Sequence, residues 1–139
     1  MNTKESKRPG FSWVSPNIIV KDVDLAADFY QRAFGFEVER KVPGKDGTTV
    51  HADIRYQGQL LMLDKAGEYG GTTVPPSVSK AECPMSLYLY TENVDELYKK
   101  AVKEGAKSVM EPSDAFWGDR HCRLTDLDGY EWSFATYLA

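Results

Sequence analysis

Cysteine is scarce in this 139-residue chain, which contains only Cys83 and Cys122. Two cysteines this far apart have no metal-ligand spacing, and one optional pair does not make the disulfide scaffold of a small secreted protein. We therefore expect two free thiols. Long apolar runs are also missing, because no stretch approaches the roughly 20 residues of a membrane-spanning helix. The sequence therefore predicts no membrane partner.

Positive charge is in the minority, with 17 Lys and Arg against 21 Asp and Glu, a net charge of -4 and a sequence pI of about 5.2. Nucleic-acid binding relies on a basic face that releases counterions from phosphate, so a nucleic-acid partner is not expected. A neutral or cationic ligand is easier to accommodate. The first residues lack the apolar core of a secretion signal, which predicts a polar tail over residues 1–12 of a cytoplasmic protein.

Two segments have the apolar spacing of amphipathic helices. The second is the clearer one: it follows the capping residue Asn93, ends at Gly105, and has an apolar stripe at Val94, Leu97, Tyr98, Ala101 and Val102. The first follows Asp22, ends at Gly35, and has its stripe at Val23, Ala26, Ala27, Tyr30, Ala33 and Phe34. We also assign Leu25 and Phe29 to its buried side. The two predicted helices therefore share the same pattern of capping residue, apolar stripe and terminal glycine.

Each predicted helix is preceded by one strand-like run and followed by three. The runs are residues 15–20, 36–42, 50–56 and 59–64 in the first copy, and 85–90, 106–111, 121–125 and 130–136 in the second. This order predicts an α+β fold of two βαβββ modules. We divide one domain, 13–139, into module one (13–64), a linker (65–84) and module two (85–139). The linker shows no periodicity.

Strand alternation assigns the two faces of each predicted sheet. One face is apolar and should pack beneath the helices; it consists of Ile18, Val20, Leu61, Leu63, Leu87, Leu89, Trp132 and Phe134. The opposite face mixes aromatic, methionine, histidine and charged side chains. Such a face is a poor core and a plausible binding cup, which we expect between the modules.

Two segments carry a family resemblance. Asp28-Phe29-Tyr30 followed by Phe34-Gly35-Phe36, and the run from Thr125 to Trp132 (TDLDGYEW), resemble the helix and last-hairpin signatures of the vicinal-oxygen-chelate superfamily. That superfamily includes glyoxalase I, extradiol dioxygenases and bleomycin-resistance proteins. Residues 116–120 (FWGDR) are similar to its PhnB-like and bleomycin-resistance-like branch. The resemblance implies a cupped, mainly antiparallel mixed sheet and a homodimer.

The resemblance also implies where a divalent metal would be held, namely on the first and last strand of each module. Carried over to this chain, those places are Ser15, Met62, Ser86 and Ser133, and the same 71-residue offset separates both pairs. Hydroxyl and thioether groups are weak ligands for such ions. We therefore expect no cofactor, and a divalent metal only through a different set of ligands.

Three residues are candidates for acid–base chemistry: His51 and His121, at matching places in the two modules, and Glu131. Imidazoles can shuttle protons near neutral pH. The alternative is that they are hydrogen-bonded side chains of a polar sheet face. The charged residues Asp53, Arg55 and Arg123 are open to the same two interpretations, since cross-strand charge pairs are common.

Aromatic and flexible apolar side chains indicate a ligand-binding surface. The predicted ligand-binding residues are Ser15, Met62, Ser86, Tyr88, Tyr90, Phe116, Trp117, His121 and Ser133. Cys122 should point toward the helix and be inert, because burial raises a thiol pKa. The first hypothesis is metal-independent binding or sequestration of an aromatic or cationic, antibiotic-like molecule. A glyoxalase-type lyase or isomerase with an unconventional site is the second, and a partner-binding module with a filled cup is the third.

Overall fold

The structure, a computed structural model, describes residues 6–139, so part of the predicted tail lies outside the described residues. Module one comprises β1 (Asn17–Val20), α1 (Val23–Phe29) continued by a π-helical turn (Tyr30–Phe34), β2 (Glu37–Pro43), β3 (Thr49–Tyr56) and β4 (Gln59–Lys65). Module two comprises β5 (Leu87–Tyr90), α3 (Val94–Lys103), β6 (Lys107–Asp114), β7 (Asp119–Thr125) and β8 (Glu131–Tyr137). The linker contains the single helical turn α2 (Pro76–Ser79).

The predicted α+β fold and its duplicated strand order are confirmed. The sheets have the orders β1-β4-β3-β2 and β5-β8-β7-β6. In each, the first strand runs parallel to the last and the other pairs are antiparallel. Within residues 6–139 no strand of one sheet forms a backbone ladder with a strand of the other.

Both main helices begin at the predicted residues, and the first ends at the predicted Gly35, whereas α3 ends at Lys103, two residues before the predicted Gly105. The Asp22 carboxylate accepts a hydrogen bond from the Leu25 backbone N–H at 3.0 Å, and Asn93 caps α3 in the same way. Gly35, with φ +80°, ends the first helix, because glycine adopts this left-handed conformation at little cost. The π-helical turn before it was not predicted.

The modules share one hydrophobic core. Its centre is aromatic: Phe34 packs on Phe134 with ring centroids 4.7 Å apart, and Tyr30 on Trp132 at 5.2 Å. The helices therefore lie between the two sheets, and each sheet turns its opposite face outward.

Some predicted core positions are wrong. Leu25 is 62% exposed and Val102 is 40% exposed. At about 100° per residue, Leu25 lies almost opposite Val23 on α1, and Val102 lies at the margin of the α3 stripe. Leu87 and Leu89 are only partly buried, because β5 is an edge strand beside a cleft. The linker, predicted to lack regular structure, contains α2.

The turn between β7 and β8 joins the modules. The buried Asp126 carboxylate accepts hydrogen bonds from the Tyr30 hydroxyl at 2.5 Å and the Trp132 indole at 2.8 Å. Burial raises its pKa, although these bonds act in the opposite direction. Asp128 accepts a bond from the Lys21 backbone N–H at 2.9 Å. The Asp-x-Asp-Gly sequence is therefore explained by module docking.

Between residues 6 and 139, no helix is long and apolar enough to cross a membrane.

Candidate functional site

A cleft of about 410 Å³ separates the free edge of β5 from the hairpin that joins β3 and β4. Its lining is mainly apolar and includes Val14, Phe36, Tyr56, Leu60, Leu87, Leu89 and Trp132. The Tyr56 hydroxyl donates to the Tyr90 carbonyl at 2.6 Å and links the two walls. Tyr88 and Tyr90 also line this cleft.

The outward face of module two is aromatic. We call Tyr88, Tyr90, Phe116, Trp117 and His121 the aromatic face. The His121 ring lies 5.0 Å from Trp117 and is stacked at 6.2 Å on Tyr88, whose ring meets Tyr90 edge-on at 5.7 Å. Phe116 is 97% exposed, and Tyr88, Tyr90 and Trp117 are each about half exposed. These predicted residues are therefore brought together and are accessible.

A carboxylate lies beneath these rings. Asp119 is only 2% exposed. Its Oδ2 accepts hydrogen bonds from the Tyr88 hydroxyl at 2.6 Å and the Tyr90 hydroxyl at 2.8 Å, and the Trp117 indole N–H donates to Tyr88 Oη at 3.1 Å. The bond from Tyr88 lowers the pKa of Asp119, with burial opposing and the bond from Tyr90 adding to the effect. Asp119 is therefore ionised at neutral pH.

His121 has an unsatisfied polar atom. Its Nδ1 is buried and has no hydrogen-bond partner among the described residues. Buried polar groups are nearly always paired, so an orphan on an accessible face calls for an explanation. A ligand that supplies a hydrogen-bonding group would satisfy it.

The outward face of module one is polar. His51 Nδ1 lies 2.7 Å from Asp64 and Nε2 lies 2.8 Å from Asp53. Asp53 also accepts a bond from Arg40 at 2.8 Å, and Asp64 one from Asn17 at 2.8 Å. Burial disfavours the charged imidazole, but the bonds to Asp64 and Asp53 together outweigh it and raise the pKa of His51. This network is fully paired.

The two histidines therefore differ although their places match. His51 pairs across the ladder with Asp64, whereas the corresponding partner of His121 is Ala135. The carboxylates that hold both nitrogens of His51 are thus missing around His121. Divergence of the repeat has left one histidine occupied and the other available.

The four residues at which the family resemblance implies metal ligands do not lie together in the structure. Ser15 and Ser86 precede β1 and β5, and Ser86 is exposed. Met62 lies opposite Asp53 on the polar face of module one, and Ser133 opposite Tyr88 on module two. Within residues 6–139, no hydrogen bond, ion pair or ring contact joins the two outward faces.

A divalent metal does not fit these four residues. They offer three hydroxyls and a thioether, and no imidazole, carboxylate or thiolate. The described residues also contain no group of three or more His, Cys, Asp or Glu side chains arranged to hold a metal.

The other charged candidates form cross-strand pairs. Glu131 accepts from Arg123, and Glu39 accepts from Arg55 at 3.0 Å. Both cysteines are free thiols, as predicted. The prediction that Cys122 is inert is supported as well, since it is buried and burial raises its pKa to about 11.

Sequence reasoning missed Asp119. The sequence predicts a strand that begins at His121, which places Asp119 in the preceding loop. The strand in fact begins at Asp119. Because side chains alternate along a strand, a start two residues earlier would have placed Asp119 on the face of His121. The adjacent Phe116-Trp117 pair and the Gly118 turn were the only local signals.

Comparisons with known families and proteins agree with the family resemblance of the sequence. A model of the family described as the glyoxalase/bleomycin resistance protein/dioxygenase superfamily matches residues 10–134. An uncharacterised protein of Mycobacterium bovis is 35% identical over 122 residues, which are 86% of this chain and 80% of that protein. An uncharacterised protein of Mycobacterium tuberculosis is also 35% identical over 86% of this chain and 71% of its own length.

Solved structures extend the likeness. TioX from Micromonospora sp. ML1 is 28% identical, with a TM-score of 0.72 over 91% of this chain and 99% of that chain. A glyoxalase/bleomycin resistance protein/dioxygenase family enzyme from Burkholderia phytofirmans is 15% identical, with a TM-score of 0.69 over 88% of this chain and 95% of that chain. At 15% identity the second likeness concerns the fold alone.

Proposed function

We propose that this chain, which belongs to the glyoxalase/bleomycin resistance protein/dioxygenase superfamily, binds a small, flat-ringed molecule on the aromatic face of module two. Binding requires no metal, and the ligand is not converted. The observation that carries the proposal is the half-exposed cluster of Tyr88, Tyr90 and Trp117 around His121. Bleomycin-resistance-like or PhnB-like sequestration of an antibiotic-like ligand is the kind of function it fits.

The geometry favours stacking. Aromatic pairs contribute about 0.5–1.5 kcal/mol each beyond the area they bury, so a planar ligand contacting two or three of these rings gains affinity without an ion. Nδ1 of His121 can accept or donate one directional hydrogen bond to it, depending on the tautomer. Ser133, which pairs with Tyr88 across the ladder, adds a hydroxyl at the same place.

A homodimer is part of the proposal. One chain presents two outward sheet faces, one polar and one aromatic, and the aromatic one leaves Phe116 97% exposed. A second copy related by two-fold symmetry would cover this face with the module-one face of its partner. The cup would then form between modules of different chains, which supports an enclosed rather than a surface site.

Ligand binding can be tested through Trp117. A panel of planar and glycopeptide antibiotics, with acridine as the simplest planar probe, is titrated while tryptophan fluorescence is followed. We expect saturable quenching that Trp117→Ala weakens about tenfold, the loss of one good stacking contact. Trp13→Ala is the matched control, because Trp13 is also exposed but lies before β1. No binding of any panel member, or equal loss in both variants, would contradict the proposal.

His121 also supports a second candidate, a lyase or isomerase that uses it as an acid–base group, because Nδ1 has no partner. His51 and Glu131 are less suited, since both are engaged with opposite charges. An enzyme of this type would exchange the α-proton of a hydroxycarbonyl substrate with deuterated water, and His121→Gln would stop the exchange. The binding proposal predicts no exchange.

A further inference from the structure

We infer that the ligand of the aromatic face carries a positive charge and that Asp119 is its counter-ion. This inference rests on the proposed function and adds the chemical class of the ligand. It follows from the charges around Asp119 rather than from the family.

The carboxylate of Asp119 has no cationic partner. It is 2% exposed, its hydrogen-bond donors Tyr88 and Tyr90 are both neutral, and it forms no salt bridge with Lys, Arg or His in residues 6–139. His121 on the same face also lowers the pKa of Asp119, but by less than the hydrogen bond from Tyr88. A buried charge without a counter-charge is costly, and such groups are usually paired. The aromatic face therefore lacks a positive charge that would balance the Asp119 carboxylate.

Module one shows how the same fold treats a buried carboxylate that needs no ligand. Asp53 is 1% exposed and is paired with Arg40 and His51, each at 2.8 Å. Asp119 is as little exposed but forms no such ion pair. The two carboxylates thus differ in whether a cationic side chain is paired with them.

The rings around Asp119 suit a cation. Aromatic faces attract cations through the ring quadrupole, and desolvated sites gain the most. Both tyrosine hydroxyls donate to Asp119 Oδ2, which leaves acceptor capacity on Oδ1. The bond to Asp119 raises the pKa of Tyr90, and burial followed by the same bond raises that of Tyr88. Both therefore stay neutral donors at physiological pH.

The test compares two probes of nearly equal shape. N-methylacridinium is a permanent cation, and acridine in mildly alkaline buffer is uncharged. We expect wild-type protein to prefer the cation about tenfold, a ratio typical of one desolvated cation–π contact with a nearby carboxylate. Added salt should weaken cation binding and leave acridine binding unchanged, because screening acts only on charge.

Asp119→Asn removes the charge and keeps the size of the side chain. It should reduce the preference for the cation to no more than about twofold while acridine still binds. Asp114→Asn, which removes the same charge from an exposed residue paired with Arg120 at 3.1 Å, is the control and should keep the wild-type preference. The salt dependence of cation binding by wild-type protein tests the same charge without a substitution, so salt-insensitive binding would overturn the assignment even if Asp119→Asn folds poorly.

The outcomes separate the two proposals. Equal binding of both probes by wild-type protein, or an unchanged preference in a folded Asp119→Asn variant, would overturn the charge assignment and leave the aromatic site standing. Failure of both probes to bind would overturn the binding site itself, and the charge assignment with it.

Discussion

Both ring nitrogens of His51 lie within hydrogen-bond distance of carboxylate oxygens. Because ionised carboxylates only accept, both bonds form together when the imidazole is protonated. Since the pKa of His51 is raised in the folded chain, its stabilising contribution is complete below the unfolded pKa of about 6.5 and is lost as pH rises through the folded pKa. The polar face of module one therefore makes stability depend on pH in the neutral range.

We predict that the free energy of unfolding falls as pH rises through this range, by an amount on the order of 1 kcal/mol. Urea unfolding at several pH values measures it. In His51→Gln the fall should be largely absent, since glutamine does not titrate. An identical slope in wild-type and variant protein would show that the His51 network is not the source.

At the scale of elements, the turn Asp126–Gly129 holds the linker helix α2 against module two. The Ser77 backbone N–H donates to the Asp128 carbonyl at 2.9 Å. Gly129 has φ +90°, and a Cβ there would lie 2.8 Å from Ser77 N and 3.2 Å from Pro76 Cβ. Glycine is thus required twice, by the backbone conformation and by the close approach of α2.

Two glycine substitutions separate these requirements. Gly47→Ala, at φ +83° with nothing within 4 Å of the added carbon, should cost about 1 kcal/mol for the left-handed backbone alone. Gly129→Ala should lower the free energy of unfolding by about 1–3 kcal/mol more than Gly47→Ala, because α2 must move. Chemical denaturation gives both values. Equal losses would show that α2 does not press on the turn.

The elements were largely predictable from sequence because they depend on local signals. The stripes, the caps Asp22 and Asn93, and the duplicated order of strands specify both modules. The π-helical turn, α2 and the start of β7 at Asp119 depend on contacts between distant segments, which periodicity does not reveal. The same is true of the site: the rings of the aromatic face were predicted, whereas the buried carboxylate beneath them was not.

At the scale of the whole molecule, the two sheets face outward from one shared core. This arrangement leaves Tyr88, Tyr90, Phe116 and Trp117 uncovered, and large exposed apolar patches mark sites of interaction. We predict a dimer of about twice the 15.6 kDa chain mass, measurable by size-exclusion chromatography with light scattering. Phe116→Asp should shift it toward monomer, whereas Leu25→Asp, an exposed leucine on α1, should not. A monomer at all accessible concentrations would contradict the proposed dimer.

Binding of an aromatic ligand without a metal and without converting it is the central property that we propose for this chain. Isothermal titration calorimetry with N-methylacridinium, before and after treatment with a chelator, tests it most directly when the recovered ligand is then analysed by mass spectrometry. We expect one ligand per chain, the same Kd with and without chelator, and an unchanged ligand. Binding that disappears with the chelator, or a ligand recovered with altered mass, would contradict the claim.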